Sequence, residues 1–425
     1  MLRNSLDSPF LCARFSFIRS YASSGGRAGV HSRFAWILAP GLFSVTAAML
    51  VFLFLLLAAP SVAHAQSGTE YIVTNDDLAP ELLNTLTVFT VSSHGKITEQ
   101  GKIGIGLGIL GGYFAAPRIL ATNVGGTDCV FASAAYFGEI TGVDMDTQQV
   151  VGNFTGSATD SGFANGIGLA MNQTYLYAGY STSATIGAFA VGSDCSLGFI
   201  GDVAATGVNG GTPDGMALRG NLLIVTYEDG SMESFNVVAG LPVSNDDLQL
   251  STGYATDNLP DSVQITADGH FAIFGDDSTT TTVEVSDISS GNLAPTVVYN
   301  LGTAFNSNNI LLSPDETLLY VTNNTSGQVT AAFFDAATGV VSPGCYSPTL
   351  KQFDNTWIYA SGLATASNTG TGQRVYVAEY GGPSSIGVVN VTSNGAQCTL
   401  KEDAHSPVTV EGASALMSLT VYTSQ

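Results

Sequence analysis

Basic residues are scarce in this sequence. Of 425 residues, 12 are Lys or Arg and 34 are Asp or Glu, for a formal net charge of −22. With a pI near 4.2 there is no basic stripe to displace counterions from phosphates, so nucleic acid is not an expected partner. Charge of either sign is thin, at 11% of residues, while 45% are hydrophobic, which excludes a disordered acidic chain. The 49 glycines follow no G-X-Y period, so collagen is excluded as well. No segment carries a convincing helical period. There is no G-x-S-x-G elbow, no H-E-x-x-H pair, no Walker loop and no EF-hand spacing. What remains is a Gly-rich, loop-rich chain long enough for a sizeable core.

The amino-terminal region reads as an export signal. Arg3, Arg14, Arg19, Arg27 and Arg33 face a single acid, Asp7. An apolar run then culminates in residues 47–59 and ends at Ala63-His64-Ala65, a small-x-small cleavage pattern. Cleavage after Ala65 is the expectation. The alternative is an uncleaved anchor, because the apolar stretch from Phe34 to Ala59 is long enough to span a bilayer. Either way residues 66–425 are expected outside the cytoplasm: secreted, periplasmic or at the cell surface. Five of the twelve basic residues leave with the signal, so the remainder carries −26.

A five-residue pattern, apolar-apolar-apolar-small-polar or aromatic, recurs seven times in that remainder. Its copies include Tyr71-Ile72-Val73-Thr74-Asn75, Leu223-Ile224-Val225-Thr226-Tyr227, Ala272-Ile273-Phe274-Gly275-Asp276 and Leu319-Tyr320-Val321-Thr322-Asn323. The copies lie 46 to 59 residues apart, a period that means a propeller when the units are strands. A short apolar strand and a tight turn precede each copy, as in Ile310-Leu311-Leu312 before Ser313-Pro314-Asp315. An alternating strand follows, as in Thr282-Val283-Glu284-Val285, and then a weaker outer one. Four antiparallel strands per unit, A to D outward from the axis, make one blade. The expected fold is therefore an all-β, seven-bladed β-propeller filling residues 66–425 as one domain. The first unit lacks an A strand, and the C-terminal run Ala415–Val421 is the spare strand that would complete it and remove an open edge.

Leu319-Tyr320-Val321-Thr322-Asn323, with Gln328-Val329 and the Asp335-Ala336-Ala337-Thr338-Gly339 turn, resembles the repeat of the YVTN-type, lactonase-like seven-bladed propellers. Ile72-Val73-Thr74-Asn75 echoes it. The resemblance implies a 6-phosphogluconolactonase-like or carboxymuconate-cyclase-like hydrolase or isomerase, or one of the exported members without assigned chemistry. It also implies His, Arg and Glu at the channel mouth, and here the sequence departs. Residues 66–425 hold three Arg (Arg118, Arg219, Arg374) and three His (His94, His270, His405). Arg219 and Arg374 fall in A–B turns, on the face away from the mouth. Only Arg118 starts an A strand near it, as the one candidate catalytic cation for holding an anionic substrate.

The mouth is instead acidic and amide-rich. Just before successive A strands stand Pro117, Asn165, Asp214, Asp261, Asn308, Ser361 and Gly412, and the B–C loops on the same face carry Glu228, Asp276 and Glu379 among others. Asn165, Asp214, Asp261, Asn308, Glu228, Asp276 and Glu379 are the candidate ligand-binding residues. Asp214 and Asp261 are also candidate ligands for Ca²⁺ or another divalent cation. The competing reading is that such Asp and Asn side chains satisfy backbone donors in tight turns. The leading expectation is a monomeric, non-catalytic protein binding a small molecule or protein partner at this mouth, with a divergent lactonase using Arg118 as the alternative. Contact with a membrane would come only through an uncleaved N-terminal segment.

Cys12 lies in the signal. Cys129, Cys195, Cys345 and Cys398 remain, an even number in an exported chain, which suggests two disulfides. Cys129 with Cys195 and Cys345 with Cys398, each joining neighbouring blades, is the expected pairing, with free buried thiols as the alternative.

Overall fold

The structure is a computed structural model. It describes residues 68–424 apart from 77–82, 108–116, 135–136, 158–166, 257–258, 278–279, 303–306, 325, 352–358, 366–372, 381–383, 414–415 and 417. The proposed export signal lies outside the described residues. Among them, no helix is long and apolar enough to cross a membrane.

Among the described residues, thirty strands form seven antiparallel sheets. Blade 1 holds β1 (Glu70–Asn75), β2 (Leu83–Val91), β3 (Ile97–Leu107) and the C-terminal β30 (Ser418–Thr423). Blade 2 is β4 (Ile119–Val124), β5 (Thr127–Ala134), β6 (Glu139–Asp144) and β7 (Gln149–Thr155). Blade 3 is β8 (Gly168–Met171), β9 (Tyr175–Tyr180), β10 (Thr185–Val191) and β11 (Leu197–Ala204). Blade 4 is β12 (Pro213–Arg219), β13 (Leu222–Tyr227), β14 (Ser231–Val238) and β15 (Leu241–Ser244), with β16 (Gln249–Leu250) added on β14. Blade 5 is β17 (Leu259–Ile265), β18 (Phe271–Asp277), β19 (Thr281–Asp287) and β20 (Val297–Gly302). Blade 6 is β21 (Ser307–Leu312), β22 (Leu318–Asn323), β23 (Gln328–Asp335) and β24 (Val340–Tyr346). Blade 7 is β25 (Tyr359–Thr365), β26 (Gln373–Tyr380), β27 (Ser385–Ser393) and β28 (Cys398–Glu402), with β29 (Val408–Thr409) added on β27.

The seven five-residue copies are the seven B strands, and their apolar residues are almost wholly buried. Seven apolar clusters fill the seven gaps between neighbouring blades. Among the described residues, six gaps hold ten to twelve buried apolar residues each, and the gap between blades 4 and 5 holds seven: Ile224, Met232, Val263, Ala272, Phe274, Ile288 and Leu293. Charged side chains enter the molecule at this thinner interface.

Local chemistry fixes the A–B turns as the dipeptide signals anticipate. Asp315 Oδ1 accepts from Ser313 Oγ at 2.7 Å, and Ser313 Oγ accepts from Leu318 N at 2.9 Å. Asp268 and Thr266 repeat this pattern in blade 5, and Asn172 Oδ1 accepts from the backbone of Thr174 and Tyr175 in blade 3.

Closure is complete. β30 pairs with β1 over six residues, from Glu70 opposite Thr423 to Asn75 opposite Ser418. Tyr71 and Tyr422 stack across it at 5.1 Å. The expected run Ala415–Val421 is right in role, but the strand begins at Ser418 and extends to Thr423.

Both expected disulfides form, with Cα separations of 5.4 Å for Cys129–Cys195 and 5.7 Å for Cys345–Cys398, each bridging adjacent blades. Cys345 lies within β24, opposite Ala331.

Deleting residues 418–425 should leave β1 as an open edge and abolish the folded monomer; a soluble, protease-resistant monomer after the deletion would contradict this. Replacing Cys129 and Cys195 by Ala should cost about 4 kcal/mol by the loop-entropy relation, read as a lower denaturant midpoint.

Candidate functional site

The mouth is shaped by a recurrent irregularity of the A strands. In blades 4 to 7 each A strand carries one extra residue near its mouth end, shown by register shifts at Pro213/Met216, Pro260/Ser262, Ser307/Ile310 and Ala360/Leu363. Such a bulge re-aims side chains and disrupts the ladder locally. Asp214, Asp261, Asn308 and Ser361 sit in these bulges. They were expected just before the A strands, but pairing resumes beyond the bulge and takes them into the strands. In blade 4 the Thr of the repeated motif repairs the ladder: Thr226 Oγ1 accepts from Gly215 N at 2.9 Å. Thr322 Oγ1 does the same for Asn309 N at 2.9 Å in blade 6.

The bulges of blades 4 and 5 also touch. A Cβ on Gly215 would lie 2.4 Å from the carbonyl oxygen of Asp261, so only glycine allows this approach. Asp214 and Asp261 keep some contact with the channel solvent, yet are surrounded by enough protein that burial dominates their ionisation. Burial, then the charges of Glu228 and Asp277, push Asp214 up to about 8. Burial, then Asp214, Asp277, Asp276 and Glu228, hold Asp261 well above the usual carboxylate range. Beneath them a cavity of about 260 Å³ runs along the A strands, lined by Ser262, Val263, Ile310, Leu363 and Leu419 among others.

A second carboxyl pair lies deeper in blade 5. In blade 4, Tyr227 donates to Glu233 Oε2 at 2.7 Å. The register places Asp276 and Glu284 at the equivalent positions of blade 5, so an acid stands where the tyrosine stood. Both are fully buried. Burial first, and the neighbouring Glu284 second, raise Asp276 well above its usual range. Burial also raises Glu284, against hydrogen bonds from Thr296 and Gly253 N.

The structure thus joins Asp214, Asp261, Asp276 and Glu228 electrostatically, together with Asp277. Glu379 stands apart in blade 7. It is fully buried, accepts from Ser385, and its Oε1 has no hydrogen-bond partner. Burial, opposed by Ser385 and aided by Glu402, raises it to about 7. Asn165 lies outside the described residues, and the side chain of Asn308 is not described. Arg118 is 3% exposed; its Nε donates to Ser133 Oγ at 3.2 Å and its backbone N to Ser418 Oγ. It is built into the blade 1–blade 2 junction. Among the described residues, no group of three or more His, Cys, Asp or Glu side chains is arranged to hold a metal ion.

Asp76 is a structural acid of another kind, engaged by side-chain hydroxyls rather than backbone donors: Thr74, Thr85 and Thr87 all donate to it at 2.6 Å. Asp229, with hydrogen bonds from Asn209 N and Gly211 N, braces the loop before β12. Sequence reasoning missed Ser262 as a site residue, and it also missed Glu284. For Glu284 a signal exists, a lone acid inside the alternating Thr282-Val283-Glu284-Val285 strand.

A seven-bladed propeller closed by its C-terminal strand, with the YVTN-type motif on its B strands and a polar mouth, is the architecture of the lactonase-like propellers. The chain belongs to the family described as lactonase, 7-bladed beta-propeller, whose profile matches residues 132–409. Its fold is similar to a putative 6-phosphogluconolactonase from Bacteroides uniformis (12% identity, 84% of this chain and 100% of that one, TM-score 0.64). A putative 6-phosphogluconolactonase from Bacteroides fragilis follows (15%, 84% and 99%, 0.60). The periplasmic gluconolactonase of Pseudomonas aeruginosa is also similar (15%, 84% and 100%, 0.58). No curated protein matches the chain.

The raised carboxyls set a pH dependence. Their folded-state pKa values exceed the unfolded ones, so the folded protein binds more protons between about pH 4 and 8. The associated stability is present at the acid end of this window and is lost as pH rises through the folded pKa values, at about 1.4 kcal/mol per pH unit per group. The Tm should therefore fall between pH 5 and 8.5. Asp214→Asn should flatten the upper part of that fall and Glu379→Gln the part near pH 7. A Tm that is constant or rises across the window would contradict the assignment.

Proposed function

We propose that this is an extracytoplasmic protein, freed of residues 1–65 by cleavage after Ala65, that binds a ligand at its channel mouth on the carboxyl groups of blades 4 and 5. The observation that carries the reading is the pair of touching bulges that bring Asp214 and Asp261 together above a cavity of mixed polar and apolar lining. The buried and engaged Arg118 argues against an anionic substrate as the natural occupant. Two interblade disulfides and the apolar leader support an oxidising compartment. The periplasmic description of the Pseudomonas relative is in keeping with it.

Lactone hydrolysis is the second reading. It rests on family membership and on Asp214 and Glu379, whose proton affinities near neutrality suit a general acid or base.

Thermal-shift screening of the exported chain against sugars, lactones, amines and metal cations tests both readings. We expect a stabilising ligand whose effect falls at least about tenfold in apparent affinity, about 1.4 kcal/mol, in Asp214→Asn/Asp261→Asn. Hits indifferent to that variant, or none at all, would overturn the binding reading. Turnover of a lactone lost in Asp214→Asn or Glu379→Gln would establish the hydrolase instead.

A further inference from the structure

The recess between the bulges of blades 4 and 5 has the make-up of a receptor for one chemical group. Its floor is the blade 5 bulge, where Asp261 and Ser262 together stand opposite Gly275, a residue with no side chain to fill the space. The blade 4 bulge packs against it, Gly215 lying on the Asp261 carbonyl, while the lining of the cavity comes from blades 1, 2, 5, 6 and 7. Ser262 is 2% exposed, lines the channel cavity, and its hydroxyl has no hydrogen-bond partner among the described residues. A buried hydroxyl without a partner is a rare and costly feature that ligand atoms can relieve.

The chemistry around this hydroxyl is acidic. Asp261 feels the charges of Asp214, Asp277, Asp276 and Glu228, and burial with this repulsion favours the protonated carboxyls. A cation entering here would release those protons and relieve the repulsion, and the ionised carboxylates would accept hydrogen bonds from it. A divalent metal ion would need several oxygens at about 2.3–2.6 Å, and among the described residues no group of three acids is set for that. An ammonium group has three donors in a compact head and accepts ordinary hydrogen-bond distances. The cavity lining is mixed: Val263, Ile310, Leu311, Ile119, Leu120 and Leu419 offer apolar surface to an alkyl stem, beside the polar Gln264, Asn309, Thr365 and Thr420.

We infer that the blade 4–blade 5 recess binds a primary alkylammonium, its nitrogen donating to Asp214, Asp261 and Ser262 Oγ and its stem entering the apolar channel. This deepens the binding reading above and rests on it.

Calorimetric titration of the full exported chain at pH 8 with n-hexylammonium, n-hexanol and Ca²⁺ tests it. Hexylammonium should bind at least about tenfold more tightly than hexanol or Ca²⁺. Asp214→Asn/Asp261→Asn should weaken the amine about tenfold or more and Ser262→Ala about threefold, in variants whose unfolding transitions remain cooperative. Asp194→Asn, an exposed acid in the C–D turn of blade 3, should change it less than about twofold. Equal binding of hexanol, tighter binding of Ca²⁺, or equal losses in Asp194→Asn would overturn the inference, the last by reducing it to attraction by net charge. If the amine fails while another ligand depends on Asp214 and Asp261, this inference falls and the binding reading stands. If no ligand depends on them, both fall.

Discussion

The pairing of β30 with β1 is the interaction on which the rest of the molecule depends. Each blade buries its faces only against its neighbours, and the seven apolar clusters form a ring with no spare surface. A ring of this kind is stable only when its ends meet. Six residue pairs, the Tyr71–Tyr422 stack and the Arg118 N–Ser418 Oγ bond supply that meeting. Closure also gives the channel a fixed wall on the side of blades 1 and 2, across from the acidic recess. The two disulfides reinforce junctions 2–3 and 6–7, on either side of the run of blades that carries the recess.

Within a closed ring, local departures from regularity become functional features. The bulges of blades 4 to 7 re-aim side chains at the mouth, and those of blades 4 and 5 present carboxyls where, among the described residues, the apolar cluster is smallest. Burying like charges costs stability, and the raised pKa values of Asp214, Asp261, Asp276 and Glu284 express that cost as retained protons. Structural acids divide. Asp229, despite partial burial, is held below its ordinary range by hydrogen bonds from Ser231, Asn209 and Gly211, whereas Asp76, wrapped by three threonine hydroxyls, is still raised by burial.

Much of the fold was legible in the sequence because it rests on periodicity. The B strands, the A–B turns, the closing strand and both disulfide pairings follow from apolar spacing, turn dipeptides and blade adjacency. The site was legible only in part. A bulge adds one residue without altering the apolar pattern, so Asp214 and Asp261 read as loop residues when they lie inside strands. The close approach at Gly215 and the orphan hydroxyl of Ser262 depend on two blades meeting, and no local pattern encodes them. Glu379 and Asp276 occupy the same repeat position yet lie in blades 7 and 5, so membership of one column did not make one cluster.

The central claim is that Asp214 belongs to a cluster of desolvated, mutually repelling carboxyls at the channel mouth. Carboxyl ¹³C NMR titration of the protein, with Asp214 assigned through Asp214→Asn, tests it most directly. The account predicts a midpoint for Asp214 near 8. A midpoint in the ordinary aspartate range, near about 4, would contradict it.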